Sequence, residues 1–148
     1  GPMIHNAINQ FLQTTEWGDP DYMIVDLPPG TSDAPLTVMQ TLNLDGFVIV
    51  TTPQELAVLD AKRSINMIKK MNLKVFGVVE NLSGGVFGAG GGQALAEEME
   101  LPFLGTTEMR AAYTNSKRPA ALESDEVAAE YAAIAERLKA QIAVEKAD

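Results

Sequence analysis

The 148-residue sequence contains no cysteine. Disulfides and thiolate metal ligands are therefore excluded within this chain, and so is a small secreted scaffold held together by disulfides. The single histidine, His5, has no second histidine or cysteine with which to share a metal ion, which argues against a metal site built on it. A Ser-His-Asp hydrolytic triad is poorly supported as well, because His5 lies in an N-terminal helical pattern without a base-like setting.

Long apolar runs and positive charge are also scarce. No apolar run approaches the ~20 residues that a membrane helix requires, and the first residues do not have the pattern of a signal peptide. The net charge is −9, from 20 acidic and 11 basic residues, and this balance disfavours nucleic acid and anionic lipid as partners. The densest basic cluster is expected to be one solvated helix face, comprising Lys62, Arg63, Lys69, Lys70 and Lys74. The sequence therefore predicts a cytoplasmic protein with no nucleic-acid or membrane partner.

The patterns that are present alternate between strand and helix, and the length fits a single domain over residues 1–148. Short apolar runs rich in β-branched residues predict buried strands over 22–26, 46–51 and 75–79, with a shorter fourth over 102–105. Apolar residues at helical spacing predict helices over 4–12, 55–71, 93–99 and 127–142, the last capped by Ser124. This alternation predicts an α/β fold with a parallel sheet.

Ligands of parallel α/β sheets bind at the carboxyl ends of the strands. The first predicted strand ends in Asp26, which is the Walker-B arrangement, in which the carboxylate binds Mg²⁺ directly or through water. The turn Leu-Pro-Pro-Gly-Thr-Ser-Asp follows at 27–33, where Gly30 lets a backbone N–H approach a γ-phosphate. An Asp after a strand is also a common helix cap or turn former, and the neighbouring turn is what favours the nucleotide interpretation.

The third predicted strand runs into Glu80-Asn81, and the Asn81 carboxamide offers the donor and the acceptor that can read the edge of adenine. The alternative is that Asn81 is a turn residue or a helix cap. The glycines between Gly84 and Gly92 do not form a phosphate-binding loop, because Gln93 follows where a Walker-A loop requires Lys and then Ser or Thr. A flexible loop is predicted there instead.

Together these motifs resemble the Mrp family of P-loop ATPases, iron–sulfur cluster carriers related to the MinD and ParA ATPases. The resemblance extends in order to about residue 119 and is carried by residues 17–33, Thr-Thr-Pro-Gln at 51–54, Glu-Asn-Leu-Ser at 80–83 and the glycine run at 87–92. It implies a three-layer, doubly wound P-loop fold and a dimer-forming hydrolase that uses ATP and Mg²⁺ and passes a 4Fe–4S cluster to apo-proteins. Asp26 would match the Walker-B carboxylate, Gly30 the switch loop and Asn81 the adenine reader.

Three departures from the family limit what the resemblance implies. The family's Walker-A loop lies upstream of the matching stretch and is absent, so the chain is expected to be the C-terminal portion of such an ATPase, inactive alone. The family commonly has Cys-x-x-Cys where residues 83–87 run without cysteine, which rules out a thiolate-ligated cluster in this chain. Thr107-Glu108 replaces a frequent Ile-Pro in a predicted loop that can touch the base. An incomplete sheet also leaves an exposed edge, which predicts self-association.

Two alternative functions remain open. A MinD/ParA-like positioning ATPase would need a basic amphipathic C-terminal helix or a basic patch, whereas residues 135–148 mix both signs of charge. A degenerate, non-enzymatic module that only binds a partner is favoured by the loss of both the phosphate loop and the cysteines.

Overall fold

The computed structural model describes residues 2–27, 33–114 and 117–147, which form two compact units. The first unit, Gly1–Leu44, contains helices α1 (Pro2–Thr14) and α2 (Asp33–Thr41). The second unit, Asp45–Asp148, contains strands β1 (Phe47–Thr51), β2 (Val75–Ser83) and β3 (Phe103–Glu108) and helices α3 (Glu55–Lys70), α4 (Gly91–Glu98) and α5 (Asp125–Ala147).

In the first unit, α1 packs against α2. Helix α1 begins at Pro2, whose fixed φ suits the first helical position. Beyond its end, Trp17 donates its indole N–H to the Leu12 carbonyl oxygen at 3.2 Å and meets the Phe11 ring edge-on. Helix α2 buries Val38 and Met39. The sequence patterns do not predict α2, because its nine residues are too few to show a clear helical repeat.

The predicted strand over 22–26 is wrong, because residues 22–27 form no regular secondary structure. Tyr22, Met23 and Ile24 are exposed, Ile24 to 81%. A β-strand requires a hydrogen-bonding neighbour, and no strand in the described part of the chain pairs with this segment. The apolar pattern typical of a buried strand is therefore present without a partner strand.

The second unit is built on a parallel sheet in the order β1-β2-β3. Its strands confirm the three other strand predictions and the α/β class. The central strand β2 is buried from Val75 to Glu80, as expected for a parallel strand covered on both faces. Pairing between β2 and β3 continues as far as Ser83 and Glu108. Both strands are therefore longer than predicted, and Asn81 lies within β2 rather than after it.

The helices of the second unit confirm the predicted helical stripes. Helix α3 buries Ala61, Ile65 and Ile68, and α4 packs against both α3 and the sheet. Helix α5 packs on β3 and β2 and buries Val127 completely. The Ser124 hydroxyl accepts the Val127 N–H at 3.4 Å, which confirms the predicted cap. The core includes the fully buried side chains of Ile65, Val78, Leu95, Leu104 and Val127.

Four of the five basic residues of the cluster around α3, Lys62, Arg63, Lys69 and Lys74, make contacts within the protein. Lys62 pairs with Glu98 of α4, and Arg63 pairs with Asp60 at 3.0 Å. The Lys69 ammonium donates to the Met99 carbonyl oxygen at 2.9 Å. These contacts support the interpretation of the cluster as a structural and solvated face.

Candidate functional site

The carboxyl ends of the three parallel strands lie at one edge of the sheet, where ligands of this architecture bind. The first turn of α4 packs against this edge. A Cβ atom at Gly91 would come within 2.7 Å of the Pro53 carbonyl oxygen, just beyond β1. A Cβ atom at Gly92 would come within 2.9 Å of the Glu80 Cβ on β2. Glycine is required at both positions because the backbone of α4 approaches the strand ends so closely.

The Glu80 carboxylate is buried at this edge, and no sequence motif assigned it a role. Its side chain is 1% exposed. One oxygen, Oε1, accepts the Ser83 hydroxyl at 2.7 Å and the Gly90 N–H at 3.0 Å, and the other, Oε2, accepts the Gly92 N–H at 2.6 Å. Burying a carboxylate is costly unless it is hydrogen-bonded, and these three donors supply the compensation. Glu80 could have been identified from the sequence as an acidic residue at the end of an apolar strand that precedes a glycine-rich segment.

Two opposing effects set the pKa of Glu80. Burial raises the pKa of this carboxyl, whereas the hydrogen bonds from Ser83, Gly92 and Gly90 lower it, and the net result is a pKa below the ordinary value. Glu80 is therefore a buried anion at neutral pH. It lies at the N-terminus of α4, where the helix dipole favours negative charge.

The glycine cluster is organised around this anion. Residues Gly85–Phe87 form a 3₁₀ turn, Gly90 has φ +93°, and Gly91 and Gly92 begin α4. The prediction of a flexible loop is therefore wrong for the part that is helical, because the amides of Gly90 and Gly92 are fixed by Glu80. These amides bind a carboxylate of the protein rather than a phosphate.

Asn81 projects from an irregularity in β2. Between the pairs Glu80–Thr106 and Ser83–Glu108, β2 contains one more residue than β3, and Leu82 there has φ +56°. Such a bulge re-aims a side chain at the cost of local backbone strain. The Asn81 Oδ1 accepts the Thr107 hydroxyl at 2.6 Å. Thr107 is 2% exposed and lies within β3, which corrects the prediction of a loop at this position.

The exit of β3 is fastened to α5 by Arg110. Its guanidinium lies 2.6 Å from Glu130, 2.9 Å from Glu126 and 3.2 Å from Glu108. The hydrogen bonds that Arg110 donates to the Glu130 carboxylate are the main reason that the pKa of Arg110 is raised. This cluster holds the segment after the Thr107 position against the last helix.

The remaining predicted site residues are placed differently. Asp26 is exposed and lies in the irregular segment of the first unit, not at the end of a strand. Gly30 falls outside the described residues. Within the described ranges, no three Asp, Glu, His or Cys residues are close enough together to hold a metal ion. A single carboxylate is still compatible with Mg²⁺, which takes one or two carboxylates together with waters and phosphates.

Two solved structures show which class of fold this is. The nucleotide-binding protein of Archaeoglobus fulgidus, solved with ADP, is 37% identical and superposes with a TM-score of 0.65 over 74% of this chain and 49% of that one. The septum site-determining protein MinD of Pyrococcus horikoshii, solved with Mg-ADP, gives 0.73 over 98% of this chain and 59% of that one at 18% identity. The fold is thus that of the P-loop NTPases, which confirms the predicted doubly wound class.

Sequence comparison shows the family within that class. The model of the ParA family, described as the NUBPL iron-transfer P-loop NTPase, matches residues 1–141, and the chain belongs to this family. The iron-sulfur cluster carrier protein of Methanocaldococcus jannaschii is 46% identical over 116 residues, covering 71% of this chain and 40% of the relative. The cytosolic Fe-S cluster assembly factor NUBP2 homolog of Nematostella vectensis is 48% identical over 118 residues, covering 71% and 44%. The chain spans less than half the length of these curated relatives.

Proposed function

We propose that this chain is the C-terminal portion of an ATP-binding and ATP-hydrolysing protein of the iron–sulfur cluster carrier type, in which residues 1–148 contribute to one domain. The observation that carries the proposal is the family match over residues 1–141, together with relatives named as cluster carriers and assembly factors. The exposed apolar segment at 22–24 is consistent with a strand that pairs with sequence beyond these residues.

Within this proposal each site residue has a distinct role. Asp26 holds Mg²⁺ through water, Gly30 belongs to the loop that senses the γ-phosphate, and Asn81 reads the adenine edge. Bound Mg²⁺ would neutralise the charge that develops on the transferring phosphoryl group. Asn81 has the best structural support, because it projects half-buried from the ligand-binding edge of the sheet with a fixed hydrogen-bond partner.

The cluster itself does not fit the residues present. Fe–S clusters in proteins of this kind are held by cysteine thiolates, and the chain contains none. Any cluster of the proposed protein is therefore a cargo whose ligands lie outside these 148 residues. The proposed clients are apo iron–sulfur proteins.

The proposed setting is the cytoplasm, and the proposed assembly is a homodimer. Among the helices that the structure describes, none is long and apolar enough to cross a membrane. The outer edges of β1 and β3 have no further strand beside them in the described ranges, which supports association through the sheet edges.

The test is a titration of the ¹⁵N-labelled chain with Mg-ADP, in which NMR measures the chemical shifts of the backbone and side-chain amides. We expect weak binding, because a phosphate cradle is lacking, with shifts concentrated at Asn81, Thr107 and the strand ends. Asn81→Ala is expected to abolish these shifts, and Asn66→Ala, an exposed change near the C-terminal end of α3, serves as the matched control. ATP hydrolysis by the chain alone is expected at the level of a blank. An Asn81→Ala variant that titrates like the unchanged chain would refute the adenine-reading role of Asn81. No shift at about 10 mM ADP, a concentration well above a millimolar Kd, would support the non-enzymatic module instead.

A further inference from the structure

The hydrogen bond between Thr107 and Asn81 sets the direction in which the Asn81 carboxamide presents its donor and acceptor. The Thr107 hydroxyl donates to Oδ1, so the carboxamide oxygen faces β3 and the Nδ2 group is directed away from it. The second lone pair of Oδ1 has no donor among the described residues and can accept a hydrogen bond from a ligand. The outward pattern is therefore one acceptor beside one donor, in a fixed order.

The reverse orientation of the carboxamide is disfavoured by the burial of Thr107. If the carboxamide turned over, Nδ2 would donate to the Thr107 oxygen, and the hydroxyl proton would need another acceptor. Thr107 is 2% exposed, and Asn81 Oδ1 is the acceptor that its hydroxyl has in the described part of the chain. A buried donor left without an acceptor loses free energy, so the observed orientation is maintained.

The bulge in β2 that contains Asn81 and Leu82 is stabilised by a hydrogen bond between the residues on either side of it. Ser83 donates its hydroxyl to Glu80 at 2.7 Å, and this bond spans the two residues between them. Leu82 adopts φ +56°, a conformation that a branched side chain rarely takes unless the surroundings impose it. The buried Glu80 is in turn fixed by Gly90 and Gly92. The backbone that carries Asn81 is therefore held on one side by Glu80, while its carboxamide is held on the other by Thr107.

Adenine and guanine differ in the order of the groups that such a carboxamide meets. The Watson–Crick edge of adenine presents a donor at N6 and an acceptor at N1, whereas that of guanine presents an acceptor at O6 and a donor at N1. A carboxamide that can turn over satisfies either base, because turning it exchanges its donor and its acceptor. A carboxamide with a fixed orientation satisfies one of them and leaves the other mismatched.

We infer that Thr107 is a specificity-determining positioning residue, which fixes the Asn81 carboxamide so that the site selects adenine over guanine. This inference rests on the proposed nucleotide-binding function and deepens it. Thr107 acts through Asn81 and does not itself contact the base. Base selectivity thus depends on a hydroxyl that is buried between two strands.

The experiment compares the binding of Mg-ADP and Mg-GDP by the full chain and its variants, with Kd values taken from NMR titrations. The unchanged chain is expected to prefer ADP by roughly tenfold, the ratio that corresponds to loss of one well-placed hydrogen bond. Thr107→Val removes the hydroxyl and keeps the shape, so the preference is expected to fall to about twofold or less. Thr107→Ser keeps the hydroxyl and is the matched control, expected to retain the preference. Thr107→Ala replaces the valine variant if the latter does not fold.

A second set of measurements uses a substitution of Asn81, the residue proposed to contact adenine, and leaves Thr107 unchanged. Asn81→Asp keeps an acceptor for the Thr107 hydroxyl but offers no donor to adenine N1, and its carboxylate accepts the N1–H of guanine. This variant is expected to reverse the preference towards GDP. The side-chain amide resonances of Asn81 supply a readout without ligand, since they are expected to shift and broaden in Thr107→Val and not in Thr107→Ser.

The outcomes distinguish a failure of the proposed role of Thr107 from a failure of the proposed nucleotide-binding function. Equal ADP preference in the unchanged chain and in Thr107→Val overturns the role of Thr107 and leaves the nucleotide-binding function in place. Absence of ADP binding by the unchanged chain overturns the proposed function, and the inference falls with it. Loss of preference in Thr107→Ser as well as in Thr107→Val shows a packing effect and also refutes the inference.

Discussion

Removing the Glu80 carboxylate is expected to be among the most destabilising single changes in the second unit. In Glu80→Ala, the Gly90 and Gly92 N–H groups and the Ser83 hydroxyl lose their acceptors inside the protein. Hydrogen bonds to a charged group contribute about 1.5–3 kcal/mol each, and such losses are not additive. We therefore expect a loss of about 3–5 kcal/mol, a large part of a typical stability of about 5–15 kcal/mol. Glu80→Gln keeps one oxygen but turns an NH₂ group towards a donor, and about half that loss is expected.

Urea unfolding measured by far-UV circular dichroism is the appropriate assay, because the second unit contains most of the described helix and all of the described strand. With a slope of roughly 1–3 kcal/mol per molar urea, Glu80→Ala should lower the midpoint by at least about 1 M. The single tryptophan, Trp17, lies in the first unit and reports on that unit separately by fluorescence. Glu97→Gln, an exposed change on α4, is the matched control and should stay within about 0.5 kcal/mol of the unchanged protein. A Glu80→Ala midpoint equal to that of the control would show that the hydrogen bonds from Gly90 and Gly92 to Glu80 do not stabilise the second unit.

Four further predictions concern neighbouring features. Because the pKa of Glu80 is lowered, its contribution to the free energy of unfolding is present above the ordinary value of 4.5. That contribution is lost as the pH falls through the lower folded value, so the difference between the unchanged protein and Glu80→Gln should narrow in urea titrations below pH 4.5. Gly92→Ala should destabilise by about 1–3 kcal/mol despite the helix propensity of alanine, because its Cβ would meet that of Glu80; a higher urea midpoint would contradict the close approach. Glu100 has φ +55° just after α4, so Glu100→Gly should stabilise by about 0.5–1 kcal/mol, and an unchanged midpoint would show that no strain is stored there. Arg110→Gln should lower the melting temperature by less in about 0.5 M salt than in dilute buffer, because its carboxylate partners are screened; a salt-independent loss would indicate a packing role.

The sequence predicts the elements whose signals are local. The runs at 46–51 and 75–79 are β-branched and nearly continuous, and the stripe on α3 repeats over four turns, so both patterns identify the element without knowledge of its neighbours. The segment at 22–26 has an equally strong local pattern, yet no described strand pairs with it. A strand depends on a neighbour that its own residues cannot specify.

The candidate site shows the same division between local and non-local information. Asn81 could be identified from its motif, but its partner Thr107 comes from the next strand, 26 residues later. The ligands of Glu80 are the amides of residues 10 and 12 positions further along the chain. Backbone amides carry no side-chain signature, so the glycines alone could not show what their N–H groups bind.

The buried carboxylate of Glu80 is an internal acceptor for the backbone N–H groups of the glycine-rich stretch. Amides clustered at a helix start are an anion-binding site in many proteins, and here the protein fills that site with its own acid. A relative with a neutral residue at position 80 would expose the same amides to whatever anion the solution offers. Glu80 on β2 therefore determines whether the Gly90 and Gly92 amides bind a side chain of the protein or are available to an external anion.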